Sequence, residues 1–296
     1  MATSLNFTCT ISTVPTLYLF KPHSKMSEQR HGVVVVGVGR AGSGRIRDLN
    51  NFNSHAGLNW SLKGFVSRRQ LEIEGVKQIT LEECLSSDEV TMLVICTEPG
   101  HHEKVIRQAL DCGKHVLVEF PLTLSTQTTK ELYDLAAQKS LVLHEEDIAL
   151  LLPSLTETKN QLESHKIQNV DICLTGNYNG WIEEIDRGGA PFSSSISLLQ
   201  EMYELFGDLE VIGGQLQLTE EDYMATANLL TKDKKPITLK TGRSKVPVAR
   251  KKVSKFTFED GTVYEPYNPG PPKPQPGAEK RAGLMMIRTS FHFVEK

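Results

Sequence analysis

Three glycines, Gly37, Gly39 and Gly42, fit the spacing G-x-G-x-x-G, and the chemistry that spacing serves is the holding of a pyrophosphate. Gly37 permits a tight turn, Gly39 lets backbone come close to phosphate oxygens, and Gly42 lets the next helix pack on the preceding strand. Val38, Arg40 and Ala41 fill the places between them. A helix start behind such a loop offers free N–H groups and partial positive charge to the phosphates. Glycine-rich turns are common, so the motif alone is weak. Its position decides: four consecutive valines, Val33 to Val36, precede it, and Ser43-Gly44-Arg45-Ile46-Arg47 follows. An unbroken apolar run of that length reads as a strand buried on both faces. The stretch therefore points to a bound dinucleotide.

A second group of candidates follows Leu62 to Val66, where Ser67, Arg68 and Arg69 stand just beyond an expected second strand. An Asp or Glu there would hold a ribose 2′-OH and favour NADH, whereas a serine and two arginines suit a 2′-phosphate. NADPH is the favoured cofactor, and NADH stays open because no carboxylate occupies the strand end. A solvated turn is the ordinary alternative. Thr97 ends the apolar run Met92 to Cys96, and Glu119 ends Val116 to Val118, with Phe120 and Pro121 after it. His101 and His102 open a helix expected over Glu103 to Cys112. With no third ligand at useful spacing they read as helix-start or cofactor-edge residues and not as a metal site. Arg187 precedes a glycine pair, Gly188-Gly189, in a polar stretch.

The elements that must position these groups alternate. Short apolar strands and helices of ten to fifteen residues follow one another to about residue 148, which specifies a doubly wound parallel sheet of the Rossmann kind. Right-handed crossovers bring the strand C-terminal ends to one edge, where Gly37 to Gly42, Arg68, Thr97 and Glu119 gather. Beyond residue 149 the pattern changes to polar–apolar alternation, at 169–174, 211–218 and 255–258, with one amphipathic helix over 197–206 and a turn signal at Asp260-Gly261. That predicts a C-terminal α+β domain with a large, mostly antiparallel sheet, one face covered and the other open. Four segments are expected: a disordered extension over 1–30, a dinucleotide-binding domain over 31–148, a substrate domain over 149–267, and a Pro-rich, disordered tail over 268–296.

The bulk numbers exclude more than they assign. A chain of 296 residues with 39% hydrophobic and 23% charged residues and a formal net charge of −3 is a soluble type with no bias toward nucleic acid or membrane. Five cysteines without C-x-x-C spacing fit a reducing compartment, so a cytoplasmic setting is expected. Residues 1–25 lack acidic side chains, but no arginine occurs before Arg30, so targeting is not the favoured reading.

Together the residues resemble the Gfo/Idh/MocA oxidoreductases and, within them, the biliverdin reductases. The resemblance lies in VVVVGVGRAGSGRIRDL at Val33 to Leu49, GFVSRR at Gly64 to Arg69, GKHVLVEFPLTLS at Gly113 to Ser125 and LHEE at Leu143 to Glu146, with a looser match from Arg187 to Gly207. It implies NAD(P)H-dependent reduction of biliverdin to bilirubin, part of heme catabolism, by hydride transfer to the C10 methine carbon in a monomeric protein. Glu119, Phe120 and Arg187 are the catalytic candidates it carries over. Sugar-oxidising members carry Glu-Lys-Pro where this chain has Glu119-Phe120-Pro121. They also carry an Asp and a His where Ser193 and Ser197 stand. Alcohol oxidation needs a base for the hydroxyl proton, and all three candidates are absent here, which counts against a sugar or dihydrodiol dehydrogenase. Biliverdin reductases have Tyr at the position of Phe120, so a phenolic proton donor is missing. A nucleotide-binding protein without catalysis is the remaining alternative, favoured by the atypical Pro-rich end. Arginine is too weak an acid to donate a proton, so Arg187 is expected to orient the pigment and stabilise charge.

Overall fold

A computed structural model describes residues 31–51, 60–177, 185–189 and 195–266. The expectations for 1–30 and 268–296, and that for Ser193, lie outside them. The described residues divide between Ile148 and Ala149 into two compact units.

The first unit alternates strand and helix: β1 (His31–Val36), α1 (Arg40–Asn51), β2 (Trp60–Val66), α2 (Leu81–Ser86), β3 (Met92–Ile95), α3 (Pro99–Asp111), β4 (His115–Val118), α4 (Thr126–Gln138) and β5 (Leu143–Glu145). All neighbours are parallel, in the order β2-β1-β3-β4-β5. The valine run explains the sandwich. Val33 and Val35 pack with Ile46 and Leu49 of α1, while Val34 and Val36 pack with Ile106 and Leu110 of α3 and Leu132 of α4. Side chains alternate across a strand, so one apolar run serves both helix layers. Strand order reverses between β1 and β3, and a doubly wound sheet has its ligand crevice at such a reversal.

Helix starts are set locally. Thr80 and Glu83 form a reciprocal capping box on α2, and the Ser125 hydroxyl accepts from Thr128 N at α4. The third helix begins at Pro99, four residues before the expected Glu103, because proline's fixed φ suits the first helical position.

The second unit contains a 3-10 turn (Ile148–Leu151), most of it beyond the boundary, then α5 (Pro153–Ser164), β6 (Ile167–Asn177), α6 (Ile185–Gly188), α7 (Ile196–Phe206), β7 (Glu210–Leu218), β8 (Asp222–Leu230), β9 (Pro236–Ser244), β10 (Lys251–Phe258) and β11 (Val263–Tyr264). Its six strands run β11-β10-β6-β9-β8-β7, antiparallel except for β6 with β9. Leu198 and Met202 of α7 cover Val170, Ile172, Leu174, Ile237 and Leu239 on one face. The opposite face carries Asp171, Cys173, Thr175, Lys240 and Lys255 by alternation. Strands β8 and β9 have no counterpart in the sequence reading. Their alternation is broken by Thr241 and Arg243 on the covered face and by Met224 and Leu230 on the opposite one.

Candidate functional site

The glycine loop leaves β1 at Gly37, whose φ of 95° lies in the left-handed region that glycine adopts without strain. A side chain there would meet the Cys96 carbonyl oxygen at 2.8 Å, and one on Gly42 would meet the Gly37 oxygen at 1.9 Å. Both glycines are required by the packing of β1, β3 and α1. Gly39 differs: a Cβ there meets nothing within 4 Å, so the protein itself does not demand glycine at this place. A residue kept small on the outside of a loop, at a helix start, fits a phosphate lying against the backbone. Arg40 and Ala41 are exposed beside it and Val38 is half-buried.

Beyond β2 the arginines are engaged. Arg68 Nη2 donates to Glu98 Oε1 at 2.7 Å, and Arg69 Nη2 donates to the Val38 carbonyl at 2.8 Å. Ser67 Oγ accepts from Arg69 N at 3.1 Å. Glu98 is nearly buried, with His101 Nδ1 3.6 Å from its other oxygen, whereas the Arg68 side chain is 75% exposed. The ends of β1, β2 and β3 are thus joined by these bonds, with an exposed cation held over a nearly buried carboxylate. Glu98 escaped the sequence reading. Its place just past β3, at the start of a proline-opened helix, was the available signal.

At the end of β3, the Thr97 hydroxyl oxygen is buried with no hydrogen-bond partner. An orphaned hydroxyl at a strand end beside the glycine loop fits a polar group of a bound nucleotide. His102 does not face that edge. Its ring is wholly buried, with Nε2 2.9 Å from the Thr97 carbonyl and Nδ1 2.9 Å from the Pro121 carbonyl. Burial lowers its pKa, opposed by those carbonyls. The expected cofactor-edge histidine therefore lies inside, between the β3 and β4 strand ends, where a neutral ring donates to one of the two carbonyls. The Phe120-Pro121 bond is cis, and the Phe120 side chain is half-buried.

Below this edge lies an ionic cluster. Arg45 of α1 donates from Nε and Nη2 to Glu119 Oε1 at 3.0 and 2.9 Å, and Glu146 Oε1 stands 3.8 Å from Nη2. Cys96 Sγ is 3.9 Å from the same Glu119 oxygen. Burial, then the Glu119 charge, push Glu146 up to about 7 against the pull of Arg45. Burial also drives the Cys96 thiol well above its ordinary range, so it stays protonated. Neither Arg45 nor Glu146 was singled out from sequence as a site residue. Only the fold brings position 45 beside 119 and 146. Among the described residues no group of three His, Cys, Asp or Glu side chains is placed to hold a metal.

In the second unit Arg187 lies on α6, half-buried, and Ser197 lies in α7. Ser195 Oγ, at the start of α7, is 2.7 Å from Thr241 Oγ1 of β9, and both residues are fully buried.

Residues 31–146 match the model of an oxidoreductase family with an NAD-binding Rossmann fold, and residues 156–269 match that of the biliverdin reductase catalytic domain. Human biliverdin reductase A is 42% identical over 246 residues, which span 82% of this chain and 81% of the human protein. The chain belongs to the biliverdin reductase family. Mouse biliverdin reductase A is 45% identical over 213 residues, 71% of this chain and 70% of the mouse protein. Among solved structures, a biliverdin reductase from Synechocystis in complex with biliverdin and NADP+ superposes with a TM-score of 0.72 at 19% identity, covering 90% of this chain and 91% of that one. At that identity the likeness shows the fold.

The family match over residues 31–146, within the first unit, is to an NAD-binding Rossmann fold. The open space at Gly39, the orphaned Thr97 hydroxyl and the exposed Arg68 are the local features that fit such a cofactor.

Proposed function

We propose that this chain reduces biliverdin to bilirubin with NADPH or NADH. The observation that carries the reading is the 42% identity to human biliverdin reductase A over four-fifths of both chains. The missing base supports it: Phe120 and Ser197 offer nothing that would take a proton from an alcohol at neutral pH.

In this reading Gly37, Val38, Gly39, Arg40, Ala41 and Gly42 hold the pyrophosphate, and Thr97 gives its hydroxyl to the cofactor. Ser67, Arg68 and Arg69 receive the 2′-phosphate of NADPH. The bound cofactor supplies a hydride for the C10 methine carbon of the pigment. Arg187 stays protonated and provides a fixed positive charge for the electron density that builds on the tetrapyrrole. Water supplies the proton for the neighbouring pyrrole nitrogen, since Phe120 has none to give. Arg45 and Glu119 fix the end of β4 against α1, which keeps the cofactor edge rigid.

The dinucleotide part is residues 31–148 and the pigment part 149–267. The protein acts as a monomer in the cytoplasm, without metal, nucleic acid or membrane. No helix among the described residues is long and apolar enough to cross a membrane.

Absorbance tests the reading directly. Purified protein with biliverdin and NADPH should lose the long-wavelength biliverdin band and gain that of bilirubin. NADPH binding without any such change would overturn the reading and leave a catalytically silent nucleotide-binding protein.

A further inference from the structure

The second unit sets two guanidinium-bearing side chains together at one end of its sheet. Arg243 of β9 is registered beside Gly176 of β6 and opposite Tyr223 of β8. Alternation along β9 puts Arg243 on the face of Ile237, Leu239 and Thr241, which are at most 1% exposed under α7. A Cβ on Gly176 would stand 2.9 Å from Arg243 Nη1 and 3.7 and 3.8 Å from Cγ and Cβ of Arg250. The space left by that glycine is therefore where both arginine side chains lie. Arg243 is 9% exposed, while Arg250 is exposed and forms no ion pair among the described residues.

Two like charges held together favour an anion between or beside them. Burial lowers the Arg243 pKa, and Arg250 adds to that against the raising effect of Tyr223. The Ser195–Thr241 bond seats the start of α7 two residues before Arg243, and the stretch that joins β6 to α7 carries Arg187. The segment that carries Arg187 thus leaves β6 after Asn177, next to Gly176, and α7 begins where Ser195 meets Thr241.

We propose that Arg243 and Arg250 form a carboxylate-binding site that takes a propionate side chain of the tetrapyrrole. The planar guanidinium fork matches a carboxylate, and a pigment with two propionates supplies one. This rests on the biliverdin reading above.

Binding titrations with NADP+ present, so that no turnover intervenes, test the site with two probes: biliverdin and its dimethyl ester, whose carboxylates are masked. Arg250→Gln removes one cation from an exposed position. Gly176→Ala displaces only the flexible end of Arg243. Each variant should raise the Kd for biliverdin about tenfold, change that for the diester less than about twofold, and leave NADP+ affinity unaltered. Equal losses for diacid and diester, or no loss for either, overturn the site while the functional reading stands. A wild-type chain that neither binds nor reduces biliverdin overturns that reading, and the site with it.

Discussion

Arg45 donates twice to one oxygen of Glu119, at 3.0 and 2.9 Å, while its remaining terminal nitrogen, Nη1, is buried without a partner. The guanidinium links the first turns of α1 to the end of β4 and separates two carboxylates, Glu119 and Glu146. Its side chain is 4% exposed and that of Glu119 19%, so removing it leaves a largely buried carboxylate without its cation. Arg45→Met should cost about 3–5 kcal/mol of stability, the usual consequence of breaking a buried ion pair from one side. Urea unfolding measures this, and a variant as stable as the parent would refute the role given to the cluster.

Glu146 makes stability depend on pH. Its folded-state pKa of about 7 lies above the ordinary 4.5, so the native state holds a proton that the unfolded chain has already released between those values. That contribution is fully present below about pH 4.5 and is lost as pH rises through 7. Glu146→Gln has no such proton to lose. Its stability relative to the parent should therefore climb between pH 5 and pH 8, by about 3 kcal/mol at most. A pH-independent difference would show that Glu146 titrates normally.

Gly39 and Gly42 should fail in different ways. Gly39→Ala adds a methyl to open space, so its Tm should match the parent while NADPH binding weakens by about tenfold or more. Gly42→Ala drives a Cβ to 1.9 Å from the Gly37 oxygen and should destabilise the fold by about 1–3 kcal/mol before any cofactor is added. Thermal melts and cofactor titrations on both variants separate the two.

Arg68 is shared between Glu98 and the proposed 2′-phosphate. Arg68→Ala should weaken NADPH about tenfold and leave NADH unchanged, as expected for one lost charge-assisted bond. Glu98→Gln, which releases the guanidinium from a 2.7 Å ion pair, should tighten NADPH alone. Equal effects on the two cofactors would place Arg68 outside the phosphate site.

Phe120→Tyr restores the hydroxyl that the biliverdin reductases carry. General acids contribute about 10²–10⁴ in rate. If water supplies the proton here, kcat should stay within about threefold of the parent and its pH profile should keep its shape. A rise of a hundredfold would make the phenol the donor that this chain lacks.

The strand, turn and helix around Gly37 were legible in the sequence because the forces that make them are local. Four valines fit a strand covered on both faces, and three glycines fit a turn that only small residues can make. The parallel unit, the second sheet and the family resemblance followed from such strings. Strands β8 and β9 were not legible, since Thr241 and Arg243 stand on the covered face and Met224 and Leu230 on the other, which breaks the polar–apolar alternation. The roles of His102, Glu98 and Arg45 were decided by tertiary structure alone. His102 sits at a helix start in the sequence, yet two carbonyls 5 and 19 positions away enclose its ring. Arg45 and Glu119 are 74 positions apart, and nothing local tells an arginine which carboxylate it will meet. Burial sets the charge state of Glu146, and burial is a property of the packed sheet.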